Sequence, residues 1–352
     1  MIWNPFKINP QSFLGVDIGT FSIKIVEMSK AGKRKKLDNY GEIQAEALYE
    51  KPFRTFDKSI LTVSTKEIAK SISAILSEAK IKTKKAYFSI PDYSTFFTTF
   101  SVPPMTEEEL PNAVKYEARQ HIPLPLSEVV LDWQKIEGGQ DKTPFKILLV
   151  AVPNEVINQY QEIAQNSGLE LVALEAEVFG LSRSLVKEER GVLALIDVGA
   201  RSTTVSIINN QVLRISHSFD TSGNDLTNIV AKSLNLGYPE AEALKKKQGL
   251  FTQNGQSREA LLPLIDLIVH EAKKIFQSYA QNEGQEVQRV ILSGSSALLP
   301  GFVGYFSQET GKPTEIASPF SDTLYPPVLE ETLKAIGPTY SIAAGEAMKG
   351  LE

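Results

Sequence analysis

The chain contains no cysteine. Disulfides and thiolate metal sites are therefore excluded, and a reducing compartment is permitted. The three histidines, His121, His217 and His270, are too scattered for zinc-ligand spacing. Long apolar runs are missing as well: ILLVAV at 147–152 is of strand length and cannot cross a bilayer. The opening MIWNPFKINPQSF lacks the basic region and apolar stretch of a secretory signal. Trp3 and Phe6 within it read as an ordinary packed tail, with membrane or partner contact as the alternative. Positive charge is not in excess, since 37 Lys and Arg against 42 Asp and Glu leave −5. That argues against a general nucleic-acid binder. No Gly-x-x-x-x-Gly-Lys-Ser/Thr occurs, the lysine of ETGKPT being followed by proline. GSSAL lacks the second glycine of a nucleophile elbow. A cytosolic globular protein is expected.

The 352 residues suffice for two domains, each with its own core. FLGVDIGTFSIKIVEM (13–28) reads as strand, tight turn, strand, with Asp17 closing an apolar run where a charge is costly unless partnered. KAGKRKK (30–36) reads as a solvated hairpin tip. Ile68, Ile72, Ile75 and Leu76 recur at helical spacing over 65–80. Residues 85–91 and 93–103 read as strands, the second aromatic and β-branched. Thr106 and Glu109 predict a capping box for a helix stopping before Pro123. Two more strands follow, then a helix with Asn154 as cap and Gly168 as stop. Residues 85–167 are thus expected to form one compact strand–strand–helix–strand–strand–helix unit inserted into a larger fold. LEAEVFGLSRSL reads as a helix between the halves. The second half restarts with a strand at 192–199. Helices are then expected from about 225, at 238–249 and at 258–281. VQRVILSGSSALLPG (287–301) reads as strand, turn and short helix, SPFSDTLYPPV as loop, and TYSIAAGEAMKG as a closing helix.

The opening stretch has an echo. In VLALIDVGARSTTVSII, Asp197, Gly199 and Ser202 stand as Asp17, Gly19 and Ser22 do, each 180 residues later, as 197 − 17 shows. One Asp-x-Gly is weak evidence, since any tight hairpin uses it. Two, each ending an apolar strand at the start of a half, suggest duplicated lobes facing across a cleft. Glycine turns admit phosphate oxygens to backbone N–H groups. Carboxylates would repel phosphate and so call for a divalent cation, held through its waters as magnesium prefers.

With the SGSSALLPG turn and the YSIAAGEAM helix, these hairpins resemble the nucleotide-binding elements of the actin-like ATPase superfamily, in its order and over nearly the whole chain. The implied fold is α/β: two related lobes around a nucleotide cleft, with a small inserted αβ subdomain in the first. IPDYSTFFTTFSVPPMTEEELPNAVKYEARQHIPLPLSEVVLDWQKI is similar to the inserted subdomain of the PilM family of type IV pilus assembly proteins, and SGNDLTNIVAKSLNLGYPEAEALKKKQG to that family's second half. Ser222, Ser295 and Ser296 depart from its glycine pattern and narrow the space beside an adenosine.

The resemblance implies ATP or ADP with magnesium or manganese, Asp17 and Asp197 holding the metal through water. Gly19, Thr20, Phe21 and Ser22 would form one phosphate loop, and Gly199, Ala200, Arg201 and Ser202 the other, with Thr203 starting its return strand. Lys24 would reach phosphate or be a surface strand lysine. Gly223 and Asn224 open a helix whose N-terminus favours anions. Glu242 and Lys245 would flank the ribose or base, or be a solvated i,i+3 pair. Gly294, Ser295 and Ser296 would lie near adenine. Glu175 is the candidate for orienting a hydrolytic water, with Glu177 its neighbour; either also suits an exposed helix acid. The implied partner is the cytoplasmic N-terminal peptide of PilN, with other pilus platform proteins and motor ATPases open. Phe96, Phe100, Pro103 and Tyr116 are groove candidates, some of them belonging to the core. That would place the protein peripherally on the cytoplasmic face of the inner membrane. Expected domains are 12–84 and 168–190 as the first lobe with 336–352 returning to it, 85–167 inserted, and 191–335 the second lobe, 221–257 its smaller part. The alternatives are an FtsA-like filament protein, whose C-terminal amphipathic tail is not found before AMKGLE ends, and a small-molecule kinase, for which no cleft aspartate suits a base.

Overall fold

The computed structural model describes residues 11–44, 56–57, 60–61, 64–138, 143–187, 190–251 and 256–352. Trp3 and Phe6 lie outside them. In chain order the first half runs β1 (Phe13–Ile18), β2 (Ser22–Ala31), β3 (Arg34–Gln44), the short pair β4 (Phe56–Asp57) and β5 (Ile60–Leu61), α1 (Thr65–Glu78) and β6 (Lys85–Ile90). It continues with β7 (Phe96–Val102), α2 (Leu110–His121), β8 (Val129–Glu137), β9 (Phe145–Pro153), α3 (Asn154–Asn166), β10 (Glu170–Ala176) and α4 (Glu177–Leu185). The second half has β11 (Val192–Val198), β12 (Thr203–Asn209), β13 (Val212–Phe219), α5 (Gly223–Leu234), α6 (Tyr238–Gln248) and α7 (Gln256–Glu283). It closes with β14 (Arg289–Ser293), α8 (Phe302–Thr310), β15 (Thr314–Ile316), β16 (Thr323–Leu324) and α9 (Glu330–Lys349).

Two sheets repeat one plan. The first has the order β10-β6-β1-β2-β3-β16, the second β13-β12-β11-β14-β15. Each begins with an antiparallel three-stranded meander and adds a strand parallel to the first of the three. Leu14, Val16 and Ile18 pack with α1 and α3 on one side of the first sheet. Its other side receives α9, whose backbone meets β1 so closely that a Cβ on Gly15 would lie 1.9 Å from the Ala343 carbonyl oxygen. The second sheet buries Ala194, Ile196 and Val198 against α5, α7 and α8.

The third sheet, β7-β9-β8, is antiparallel and carries α2 on one face. It is narrower than the expected 85–167 unit. β6 pairs with β1 and β10, and α3 packs on α1, so both are tied into the first lobe by non-local pairing. β16 likewise pairs with β3, carrying residues 323–324 out of the second lobe.

Other local expectations need correcting. The helix expected over 174–185 begins only at Glu177 as α4, because residues 174–176 belong to β10 and extend the sheet beside β6. Asn154 is the first residue of α3 rather than its cap, and its side-chain amide reaches the Ser127 carbonyl at 2.9 Å. Only half the capping box of α2 forms: Glu109 accepts from the Thr106 N–H at 2.9 Å, but the Thr106 hydroxyl also donates to Glu109 instead of accepting. The closing helix starts at Glu330 and runs through Pro338, whose carbonyl accepts from Gly294 N at 3.1 Å and Ser293 Oγ at 3.0 Å. Proline removes an N–H from a helix interior, which is why the sequence suggested a boundary there. α8 was not anticipated.

Candidate functional site

The two hairpins close in the same way. Gly19 N donates to Ser22 O at 2.9 Å and Gly199 N to Ser202 O at 3.0 Å. A Cβ on Gly19 would stand 2.8 Å from the Ser22 oxygen, so the turn requires glycine. Behind each turn stands its aspartate, between the hairpin's return strand and a parallel neighbour. Asp17 faces Lys24, with Nζ 3.9 Å from Oδ2, and accepts from Ser89 Oγ of β6 at 3.1 Å. Asp197 pairs across the ladders with Thr204 and with Ser293 of β14. Ser89 and Ser293 thus extend the echo to a third strand. They were missed because parallel pairing is invisible in local sequence, although both follow an apolar strand.

One cleft between the lobes brings together Asp17, Gly19, Thr20, Phe21, Ser22 and Lys24 with Asp197, Gly199, Ala200, Arg201 and Ser202. Gly223, Asn224, Glu242, Lys245, Gly294 and Ser295 complete the predicted lining. Glu177, Thr204, Tyr238 and Thr339 also line it. Three predicted residues do not. Thr203 is fully buried and its hydroxyl donates to the Thr221 carbonyl at 2.6 Å, because alternation turns Thr204 instead toward the Asp197 side. Ser296 is buried with its Oγ toward Gly223, where an added Cβ would come within 2.5 Å. Glu175 is bound behind the cleft by Arg183 at 2.7 Å and Lys349 at 3.3 Å. The acid that does face the cleft is Glu177, at the start of α4.

Burial and the neighbouring carboxylates of Glu177 and Asp17 push the Asp197 carboxyl up to about 7, with Ser293 and Lys24 offsetting part of the effect. Three carboxylates crowded in this way are a donor set that a divalent cation relieves. Among the described residues no group of three or more His, Cys, Asp or Glu stands close enough to hold an ion directly.

Glu242 and Lys245 are not a solvated pair. Lys245 is buried and donates to Gly223 O at 3.0 Å, Thr227 Oγ1 at 2.8 Å and Glu242 at 2.7 Å, while Thr227 also donates to Glu242. Burial lowers the Lys245 pKa against the pull of Glu242. Burial raises that of Glu242, but the ammonium outweighs it and holds the carboxyl below its usual range. The start of α5 is also committed: Gly223 N donates to Gly199 O at 2.9 Å and Asn224 N to Ala200 O at 3.0 Å. Its first amides therefore hold the second turn in place and do not point freely at an anion. Gly294, at φ +87°, has no room for a Cβ, which would lie 2.5 Å from the Val198 oxygen. Lys24, Arg201, Lys245 and Lys246 are the cations lining the cleft, and the Arg201 guanidinium lies 5.0 Å from the Tyr93 ring centroid.

Of the groove candidates, Phe100 is core, stacked on His121 at 4.9 Å beneath α2. Phe96 is half-buried against the same core, Pro103 is exposed, and Tyr116 is 67% exposed on the outer face of α2.

Two lobes of one plan, mirrored turns and a cleft between them define an actin-like ATPase fold. Solved structures share it. The PilM–PilN type IV pilus biogenesis complex superposes with a TM-score of 0.82 at 24% identity, covering 96% of this chain and 98% of that one. MreB5 of Spiroplasma citri bound to AMPPNP superposes at 0.55 and 14%, covering 95% and 94%. In sequence, the cell division protein FtsA of Bacillus subtilis is 20% identical, over 88% of this chain and 79% of that protein. The model of the type IV pilus assembly protein PilM family matches residues 15–351. The chain belongs to that family.

Proposed function

We propose that this pilus assembly protein is a nucleotide-binding scaffold of the inner-membrane platform, holding ATP or ADP with magnesium between its lobes and a PilN-type cytoplasmic peptide on its inserted subdomain. The observation that carries the nucleotide half is the mirrored pair of glycine turns, with Asp17 and Asp197 behind them in one cleft. Backbone amides of the turns suit phosphate oxygens, and the carboxylates suit the waters of a magnesium ion. Lys245 and Glu242 brace the wall on which a ribose would rest. The peptide half is supported by the similarity to a PilM–PilN complex. An extended peptide of this kind binds by strand edges and side-chain pockets. Phe96, Pro103 and Tyr116 remain the groove candidates. Membrane association would follow through the peptide's own protein; among the described residues no helix is long and apolar enough to cross a bilayer.

Hydrolysis, if it accompanies binding, rests on positioning and charge stabilisation, with Glu177 rather than Glu175 facing the cleft and bonded through Oε2 to the Asp92 N–H at 3.2 Å. Calorimetry with magnesium and a non-hydrolysable ATP analogue tests the reading. Saturable binding that weakens at least about tenfold in Asp17→Ala is expected. No binding by the folded wild type would refute the nucleotide half. A pull-down with the PilN-type peptide tests the other half separately.

A further inference from the structure

The cleft lies where β1 and β6 end. At the opposite edge of the first sheet those strands begin, the β2–β3 hairpin turns, and α1 hands the chain to β6. The register fixes this: Phe13 faces Met28 and Leu14 faces Ala86, so residues 30–36 and 80–85 project beyond the same edge. Glu27 of β2 ties the 80–85 segment to the two strands of the hairpin, accepting from Thr83 Oγ1 at 2.5 Å and from Asn39 Nδ2 of β3 at 2.6 Å.

That edge presents Lys30, Lys33, Arg34, Lys80, Lys82 and Lys84, all exposed. By contrast, Lys36 beside them is neutralised by Asp38 at 2.5 Å. Lys30 also stands directly opposite Lys35 in the β2–β3 ladder, and like charges so placed oppose folding. In a chain of net charge −5, these six exposed cations at the end away from the cleft outnumber the exposed acids Glu78 and Glu170 beside them. The basic segments flank four adjacent strands, β6, β1, β2 and β3, a span of roughly 15 Å at strand spacing.

We propose that this edge is a docking surface for an anionic lipid bilayer. The cations sit on a hairpin tip and a connecting loop, spread along a rim rather than lining a cradle for one phosphate. Neither basic segment contains an aromatic residue on which a nucleic-acid base would stack. Strongly hydrated lysine charges distributed over a rim match a headgroup layer, where attraction accumulates charge by charge and is screened by salt. Docked in this way, the protein keeps its cleft turned away from the membrane. The contact is direct and does not depend on the peptide reading above.

The test is co-sedimentation of the full chain with phosphatidylcholine vesicles, with and without roughly one-third phosphatidylglycerol. Binding is expected to the anionic vesicles only and to fade at high salt. Reversal at the edge (Lys33→Glu, Arg34→Glu, Lys82→Glu and Lys84→Glu together) should lower the bound fraction roughly tenfold. A control of equal net charge on the second lobe (Lys232→Glu, Lys247→Glu, Lys273→Glu and Lys274→Glu) should bind nearly as wild type. Both variants should keep the wild-type melting profile and peptide affinity, which separates failure here from failure of the peptide reading. Equal loss in both variants, equal binding to neutral vesicles, tighter binding to an oligonucleotide at the same salt, or loss only in Trp3→Ala/Phe6→Ala would each overturn the proposal.

Discussion

Asp17 and Asp197 were legible in the sequence because a glycine turn after an apolar strand leaves few reasons for a carboxylate. What surrounds them was not. Lys24 faces Asp17 only through the β1–β2 register, Ser89 and Ser293 only through parallel pairing, and Glu177 only through the packing of α4. Burial, with the carboxylates of Glu177 and Asp17, makes Asp197 a liability in the nucleotide-free protein. Its pKa of about 7 lies above the ordinary 3.8. The unfolded chain therefore releases the proton first, and stability falls as pH rises from about 4 to 7. Asp197→Asn removes the titration. The substitution should raise the melting temperature of the nucleotide-free protein, by roughly 1–3 kcal/mol equivalent at pH 8 and by less at pH 5. Melting curves at both pH values check this, and an equal gain at the two would refute the assigned cause. The same variant should bind magnesium–nucleotide more weakly. Glu346 is a second case: fully buried, without a hydrogen-bond partner, its carboxyl is pushed well above the usual range by burial and then Glu175. Glu346→Gln should therefore be neutral or stabilising, increasingly so at alkaline pH.

Among the elements, those with strong local signals were read closely: β1, β2 and β9 as apolar runs of strand length, β8 as a short β-branched and aromatic stretch, and α1 by helical spacing. Errors fell where tertiary context overrode it. The start of the expected helix at 174–176 is drawn into β10, and α9 continues through Pro338, whose carbonyl is answered from β14 and the turn after it. The crossing of α4 and α9 could not be seen from either helix alone. Their backbones touch at Gly180 and Gly345, where a Cβ on Gly345 would lie 1.8 Å from the Gly180 oxygen. Nothing flexible is available to yield, since the obstacle is main chain. Gly345→Ala must part the two helices and disturb α9 where it also lies on β1. A loss of about 3 kcal/mol or more is expected, whereas Gly304→Ala in α8, with nothing within 4 Å, should be neutral or slightly stabilising. Urea unfolding of the two variants makes the comparison, and similar midpoints would show that the crossing relaxes.

At the scale of the whole molecule the inserted sheet is a bridge rather than an appendage. Its outer face, with Phe97, Ile136 and Leu148, packs with Leu193, Ile208 and Leu213 of the second sheet. Lys146 pairs with Glu283 of α7, and Arg214 of β13 with Glu137 at 2.7 Å. A turn at residues 92–94, just ahead of β7, reaches the cleft itself: Asp92 Oδ1 accepts from Val178 N at 3.2 Å, its N–H donates to Glu177, and Tyr93 lies against Arg201 of the second glycine turn. Any ligand that draws Arg201 or Glu177 inward must act on that turn and hence on the strand that follows it. Nucleotide and peptide should accordingly be linked, each altering the affinity of the other by the same factor, of the order of 5–150-fold. Tyr93 is not itself in the cleft lining, and Tyr93→Leu removes its stack on Arg201. It should leave each single affinity within a few-fold of wild type while shrinking the linkage. The measurement is a binding cycle: peptide affinity with and without magnesium–nucleotide, in both proteins. An unchanged peptide affinity across the wild-type pair would make the inserted sheet a fixed platform, and an undiminished linkage in Tyr93→Leu would move the coupling to the Lys146 and Arg214 pairs.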